Sequence, residues 1–184
     1  PFIVIAELTL AQALFESTSG WTTTGLSVVD VTTAPALLLF FRSFIQLAGG
    51  AGFAIIALSV GAGGGALWGM VAAEGRTDQL APHVRQSASI VLRIYGGYIL
   101  AGILALRMAG MSWFDAVNHA FTALATGGFS TRPQSVGYWN DPAIEAVLSV
   151  LMLLGALNLL TAYTLFRGKF EAVRRNGEVR LAIL

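Results

Sequence analysis

The chain has 184 residues, of which 55% are hydrophobic and only 11% charged, against roughly 25% charge in ordinary soluble domains. That balance excludes a water-soluble globule and a disordered chain alike, and a mean hydropathy of +0.71 points to lipid as the solvent. Cysteine is absent and the net charge is +1, which excludes disulfides, thiolate metal sites and cysteine nucleophiles and gives no reason to expect nucleic acid as a partner.

The first residue is Pro1, and no basic segment precedes an apolar stretch, so no signal peptide is visible. Pro1–Ile5 reads as the last turn of a spanning helix, and the chain as truncated at its N-terminus. A short apolar segment follows at Leu10–Ser19, too short to cross a bilayer, which needs about 20 residues. The first stretch of spanning length is Ala36–Val60, with Arg42, Ser43, Gln46 and Ser59 as its strongly polar members. The connector from Gly61 to Ala88 carries Arg76, Arg85 and His83, the last read as a solvated loop residue. Its Gly61–Ala66 run fits G-x-G-x-x-G/A in form, but an apolar span precedes it where a dinucleotide site needs a strand, so it reads as a flexible helix end. The second span is Ser89–Met108, with Arg93 near its start and small residues at Gly96-Gly97 and Ala101-Gly102 that suit close helix packing. Another short apolar segment, Trp113–Leu124, precedes the third span, Pro142–Phe166, which contains Asn158.

The two short segments are copies. A shift of 103 residues lays Thr9-Leu10-Ala11-Gln12 on Ser112-Trp113-Phe114-Asp115, both in the form of a capped helix start. It also lays Thr24-Gly25-Leu26-Ser27 on Gly127-Gly128-Phe129-Ser130. Each copy then has a loop and a proline, Pro35 or Pro142, in the first turn of a long apolar helix, where it loses no hydrogen bond. Asp141 is the expected N-cap of the second. The repeated unit is thus short helix, Gly/Thr strand, loop and spanning helix, with a loop four residues longer in the second copy; transporters are often built from such repeats.

Basic residues set the orientation. Seven of them, Arg76, Arg85, Arg167, Lys169, Arg174, Arg175 and Arg180, fall in the connector and tail, and two, Arg107 and Arg132, on the side of the Gly/Thr loops. The connector and tail are therefore expected in the cytoplasm and the loops outside.

Irregular backbone is tolerated at membrane depth only where protein buries it or water lines it. One Gly/Thr loop after a short helix reads as a tight connection. Two, with matching caps, glycines and following helices, read as walls of a cation filter whose carbonyls replace an ion's hydration shell. The candidate walls are Thr22, Thr23, Thr24 and Gly25, and Ala125, Thr126, Gly127 and Gly128. Each short helix would turn the negative end of its dipole to the ion. Arg42 has two readings: an interior support for the filter paired with Glu16, or a snorkelling arginine at the outer interface. Asn158 would line the cavity below the filter or bond to a neighbouring helix. His119 stands at the repeat position of Glu16 without its chemistry. There are no paired carboxylates, nucleophile triad or metal-ligand spacing, so no enzyme is expected.

Phe15-Glu16-Ser17-Thr18-Ser19-Gly20-Trp21-Thr22-Thr23-Thr24-Gly25, then Leu39-Phe40-Phe41-Arg42-Ser43 and Gln46-Leu47-Ala48-Gly49-Gly50-Ala51-Gly52, resemble the first pore loop and following helix of the Trk/Ktr/HKT superfamily of potassium transporters. Ala125-Thr126-Gly127-Gly128-Phe129-Ser130-Thr131, Gly137-Tyr138 and Asp141-Pro142 resemble the second. The likeness covers essentially the whole chain and is nearest to TrkH-type ion-conducting subunits. It implies an all-α integral membrane protein of potassium-channel-like architecture, with re-entrant pore helices and four repeats around one pore. Residues 1–61 would be the first repeat without its leading helix, 62–88 a cytoplasmic connector, 89–166 the second repeat, and 167–184 a tail or linker to a third. It implies potassium at Thr23, Thr24, Gly25, Thr126, Gly127 and Gly128, with Gly25 favouring potassium where a serine in related plant transporters goes with sodium. It further implies plasma-membrane potassium uptake, a homodimer, a cytosolic TrkA/KtrA-like regulatory subunit, two further repeats of the same chain, and no cofactor. A sodium-permeable transporter of the same family and a non-conducting membrane scaffold are the alternatives.

Overall fold

A computed structural model describes residues 1–61 and 84–156. Asn158, His83, Arg76, the tail and most of the connector lie outside the described residues. The described residues are helical, in the order α1 (Phe2–Ile5), α2 (Leu10–Trp21), α3 (Ala36–Gly61), α4 (Val84–Met108), α5 (Trp113–Leu124), a single 3-10 turn (Ser135–Tyr138) and α6 (Pro142–Ala156). Among them there is no strand. The Gly/Thr segments expected as strands are irregular backbone, because left-handed residues within them break the pleat.

The helix starts follow from side chains that compete for the first-turn N–H groups. Thr9 accepts from the Gln12 N–H at 3.4 Å while Gln12 Oε1 accepts from the Thr9 N–H at 3.0 Å, closing a capping box on α2. On α5, Ser112 Oγ accepts from the Asp115 N–H at 3.1 Å and donates to Asp115 Oδ2 at 2.9 Å. Asp141 caps α6, its Oδ1 accepting from the Ala143 N–H at 2.7 Å. α4 begins at Val84, five residues before the apolar stretch does. Arg85 and Gln86 are good helix formers, so the helix extends beyond the hydropathy signal. The α3 helix has 26 residues, about 39 Å at the α-helical rise. Among the described residues Val91–Met108 is long and apolar enough to cross a membrane, and Ala36–Gly52 and Pro142–Ala156 are shorter apolar stretches.

The chain divides into two compact units, Pro1–Gly50 with Tyr98–Gly155, and Ala51–Gly97 with Ala156–Leu184. The second contains the C-terminal part of α3 and the N-terminal part of α4. The first holds both short helices and both loops, and each copy has an apolar cluster among the described residues. Phe2, Ala13, Leu38 and Ile45 are buried together in the first copy. In the second, Leu106, Met111, Ala116, Ala120, Ile144, Leu148 and Leu151 join α4, α5 and α6. Gly102 lets α4 approach α6 closely, since a Cβ there would press on the Leu151 side chain at 2.8 Å.

Candidate functional site: two matched threonine–glycine loops

α2 and α5 end in the same turn. After α2, the Thr23 N–H bonds to the Gly20 carbonyl at 3.1 Å and the Thr24 N–H to the Ser19 carbonyl at 2.9 Å. After α5, Thr126 bonds to Ala123 at 3.0 Å and Gly127 to Thr122 at 2.9 Å. Both are Schellman turns, which need a left-handed residue just past the cap. That residue is a threonine each time, Thr23 at φ +55° and Thr126 at φ +54°. A β-branched side chain rarely takes this conformation, yet the same strained choice is made twice. Two residues further on, Gly25 and Gly128 are left-handed at φ +83° and +84°. Thr24 and Gly127 between them are not left-handed, so handedness alternates through both loops.

The turns consume the carbonyls one and two residues inside the last helical residue. The last helical carbonyls, of Trp21 and Leu124, are left over. Each lies against a glycine of its own copy's long helix: a Cβ on Gly49 would overlap the Trp21 carbonyl, and one on Gly155 the Leu124 carbonyl. Gly25 is constrained twice, by its φ and by the Gly127 carbonyl oxygen, which occupies the place of a Cβ. Gly128 has open space around it, so only its φ asks for glycine.

Hydrogen bonds from buried side chains hold the backbone beyond each loop. Glu16 Oε1 accepts from Arg42 Nε at 2.7 Å and from Ser27 Oγ at 2.9 Å, and Glu16 Oε2 accepts from the Val28 N–H at 2.9 Å. Arg42 Nη2 donates to Ser27 Oγ at 2.6 Å. Glu16 is 0% and Arg42 2% exposed, so Arg42 is an interior residue and not a snorkelling one. Its guanidinium also stacks over Phe129 of the second loop, 4.2 Å from the ring centre. The second copy repeats this scaffold in different chemistry. His119 Nε2 meets Ser130 Oγ at 2.9 Å, as Glu16 meets Ser27, and Nδ1 meets the Asp115 carbonyl at 2.8 Å. A carbonyl can only accept, so Nδ1 carries a proton and donates it to the Asp115 carbonyl. Ser27 and Ser130 each take an N–H two residues ahead, from Val29 at 3.1 Å and Arg132 at 3.0 Å.

Asp115 anchors the far end of the second loop. It accepts from Thr131 Oγ1 at 2.5 Å and from Arg132 Nη2 at 2.9 Å. Burial pushes its pKa up, but these bonds and that from Ser112 outweigh burial and hold it below the usual carboxylate value. In the first loop Asp30, fully solvated, is lowered by the Thr32 hydroxyl and N–H. A cavity of about 340 Å³ opens between the loops, lined by Gly25, Ser27, Asp30, Arg42, Gly128 and Arg132, among others.

Of the residues singled out in the sequence, Thr22–Gly25, Ala125–Gly128, Glu16 and Arg42 thus lie in one unit. Thr22 Oγ1 bonds to the Thr18 carbonyl and to Thr24 Oγ1, both at 2.7 Å, and Thr126 Oγ1 to the Ala125 carbonyl at 2.7 Å. Ser27 and Ser130 carried a signal, since they align at the repeat shift. Gln46, which reaches from α3 to the second loop and accepts from the Phe129 N–H at 3.2 Å, is marked in the sequence only by its place four residues after Arg42 and at the head of the family-like Gln46–Gly52 run.

An apolar chain whose described residues form helices and loops alone, with two copies of a capped short helix, a left-handed loop and a long apolar helix, has the make-up of a membrane transport protein. The chain belongs to the TrkH family of cation transport proteins, which matches residues 3–174. It is 34% identical over 168 residues to the Trk system potassium uptake protein TrkH of Halomonas elongata, covering 88% of this chain and 35% of that one. It is 34% identical over 183 residues to TrkH of Salmonella typhimurium, covering 96% and 38%. To the Trk system potassium uptake protein TrkG of Escherichia coli it is 34% identical over 184 residues, again covering 96% and 38%. The chain therefore spans little more than a third of the length of these relatives.

Proposed function

We propose that this chain supplies two of four walls of a potassium-selective filter in a plasma-membrane potassium uptake protein. Potassium enters from outside and sheds water against backbone carbonyls of Thr22–Gly25 and Ala125–Gly128. It is held at Thr23, Thr24 and Gly25 and at Thr126, Gly127 and Gly128. The observation that carries this reading is the alternation of handedness in both loops, +55° then +83° and +54° then +84° about an intervening residue that is not left-handed. Alternating handedness aligns successive peptide groups, gathering N–H groups on one side and carbonyls on the other. A row of aligned carbonyls can replace the shell of a weakly hydrated cation. Helices α2 and α5 are then re-entrant pore helices, and residues 1–61 and 89–166 two successive repeats joined by a cytoplasmic connector at 62–88. Residues 167–184 lead to the remaining two repeats. The names of the relatives, potassium uptake proteins of a Trk system, support potassium over sodium and transport over scaffolding. Assembly as a homodimer with a cytosolic TrkA/KtrA-like regulatory subunit belongs to the same proposal. The proposal calls for no cofactor in this chain.

The test is cation uptake by the complete coding sequence in a host lacking its own potassium uptake, with Gly25→Ser and Gly128→Ser. A side chain in the left-handed region costs about 1–2 kcal/mol, so potassium over sodium preference should fall about tenfold in either variant. Gly25→Ser should be the more severe, because its side chain also meets the Gly127 carbonyl. Wild-type flux and preference in both variants would remove the filter assignment.

A further inference from the structure

We infer that Gln46 is a positioning residue that sets cation discrimination by fixing the second loop from a helix of the first copy; this rests on the filter reading above. Gln46 is 0% exposed, and its Oε1 accepts from the Phe129 N–H at 3.2 Å, across the boundary between the two copies. Its side-chain amide lies where Gly127 would carry a Cβ, with Cδ and Oε1 2.5 Å and Nε2 2.7 Å from that point.

Nothing in the Gly127 backbone requires glycine, because its φ is not left-handed. The corresponding residue of the first loop, Thr24, carries a side chain. Gly127 is therefore a glycine to make room for Gln46, and this explains why the two loops differ at that position. The pairing also comes at the expense of an unsatisfied group. Gln46 Nε2 is buried with no hydrogen-bond partner among the described residues. A buried, unpaired amide nitrogen destabilises a fold, and leucine would fill similar volume without one. The amide thus contributes a hydrogen bond to Phe129 that an apolar residue cannot. Through it Gln46 fixes both sides of the Gly127-Gly128 pair. The Gly127 carbonyl in turn abuts Gly25, so a displaced Gly127 disturbs both walls together.

The experiment compares wild type, Gln46→Leu, Gly127→Ala, Gln46→Ala and the double variant Gln46→Ala/Gly127→Ala, each in the complete coding sequence. Potassium and sodium uptake are measured per amount of protein in the membrane. Gln46→Leu keeps the bulk and removes the acceptor, and should lower potassium over sodium preference on the order of tenfold, the scale of one lost buried hydrogen bond. Gly127→Ala should lower it comparably by collision with the amide. The double variant should be no worse than Gln46→Ala alone, because the new methyl enters the vacated space and the effects are not additive. Unaltered preference in Gln46→Leu, or a double variant that shows the product of the two single losses, overturns the role of Gln46. So does a loss of membrane protein with unchanged preference in what remains, the mark of a purely structural residue. If Gln46→Leu does not accumulate, the Gly127→Ala pair decides by the same criterion. A wild type without potassium uptake overturns the transport reading, and this inference with it; wild-type uptake with unaltered variants overturns the inference alone.

Discussion

The charged pair of Glu16 and Arg42 is buried at 0% and 2% exposure. Two charges out of water persist only when each is paired and its remaining donors and acceptors are met. Here Glu16 takes three hydrogen bonds, from Arg42, Ser27 and Val28, and the arginine spends its surplus on Ser27 and the Phe129 ring. Removing one partner strands the other. Glu16→Leu or Arg42→Leu alone should destabilise by about 3–5 kcal/mol. The double variant should cost clearly less than the two together, since no unpaired charge remains. Arg42→Lys should not rescue, because an ammonium cannot reach Glu16 and Ser27 from two nitrogens while lying flat on Phe129. Thermal midpoints of detergent-solubilised protein give the cycle. Additive losses in the double variant would mean the pair is not coupled as its geometry indicates.

At the scale of elements, each copy brings the end of a short helix against a glycine of the long helix that follows it. Because the leftover Trp21 and Leu124 carbonyls occupy the space a Cβ would need, Gly49→Ala and Gly155→Ala should each destabilise by about 1–3 kcal/mol through overpacking. Gly52→Ala, on the same helix as Gly49 but with nothing within 4 Å among the described residues, should be neutral or stabilising by up to ~1 kcal/mol, because alanine is the better helix former. Thermal midpoints separate the two classes, and a Gly49→Ala variant as stable as Gly52→Ala would count against the close approach. Much at this scale was readable beforehand. The Thr9 and Ser112 caps and the apolar runs behind them define α2 and α5, and the second runs from Trp113 to Leu124 as expected. The left-handed Thr23 and Thr126 were not readable. Threonine favours extended backbone, and only the Schellman hydrogen bonds of the preceding helix override that preference. The same turns explain why an anticipated strand is absent.

For the molecule as a whole, repetition was legible and the contacts between copies were not. A shift of 103 residues is a property of one sequence, whereas the Gln46–Phe129 bond and the Gly25–Gly127 approach join residues whose types have no periodic relation. Orientation belongs to this scale too, because it follows from where charge lies along the whole chain. If α3, α4 and the span at 142–166 all cross the bilayer, the two loops share one face and the connector and tail have the other. Seven basic residues in connector and tail against two beside the loops then predict a cytoplasmic connector. The absence of cysteine from these 184 residues makes this directly testable. In a background without other cysteines, Gln134→Cys, in the exposed stretch after the second loop, should react with a membrane-impermeant thiol reagent in intact cells. Thr77→Cys, in the connector, should react only after permeabilisation. Loss of the difference between them would mean that α3 or α4 does not cross. The reverse pattern would keep the crossings but turn the loops to the cytoplasm, where a filter meeting potassium from outside has no place.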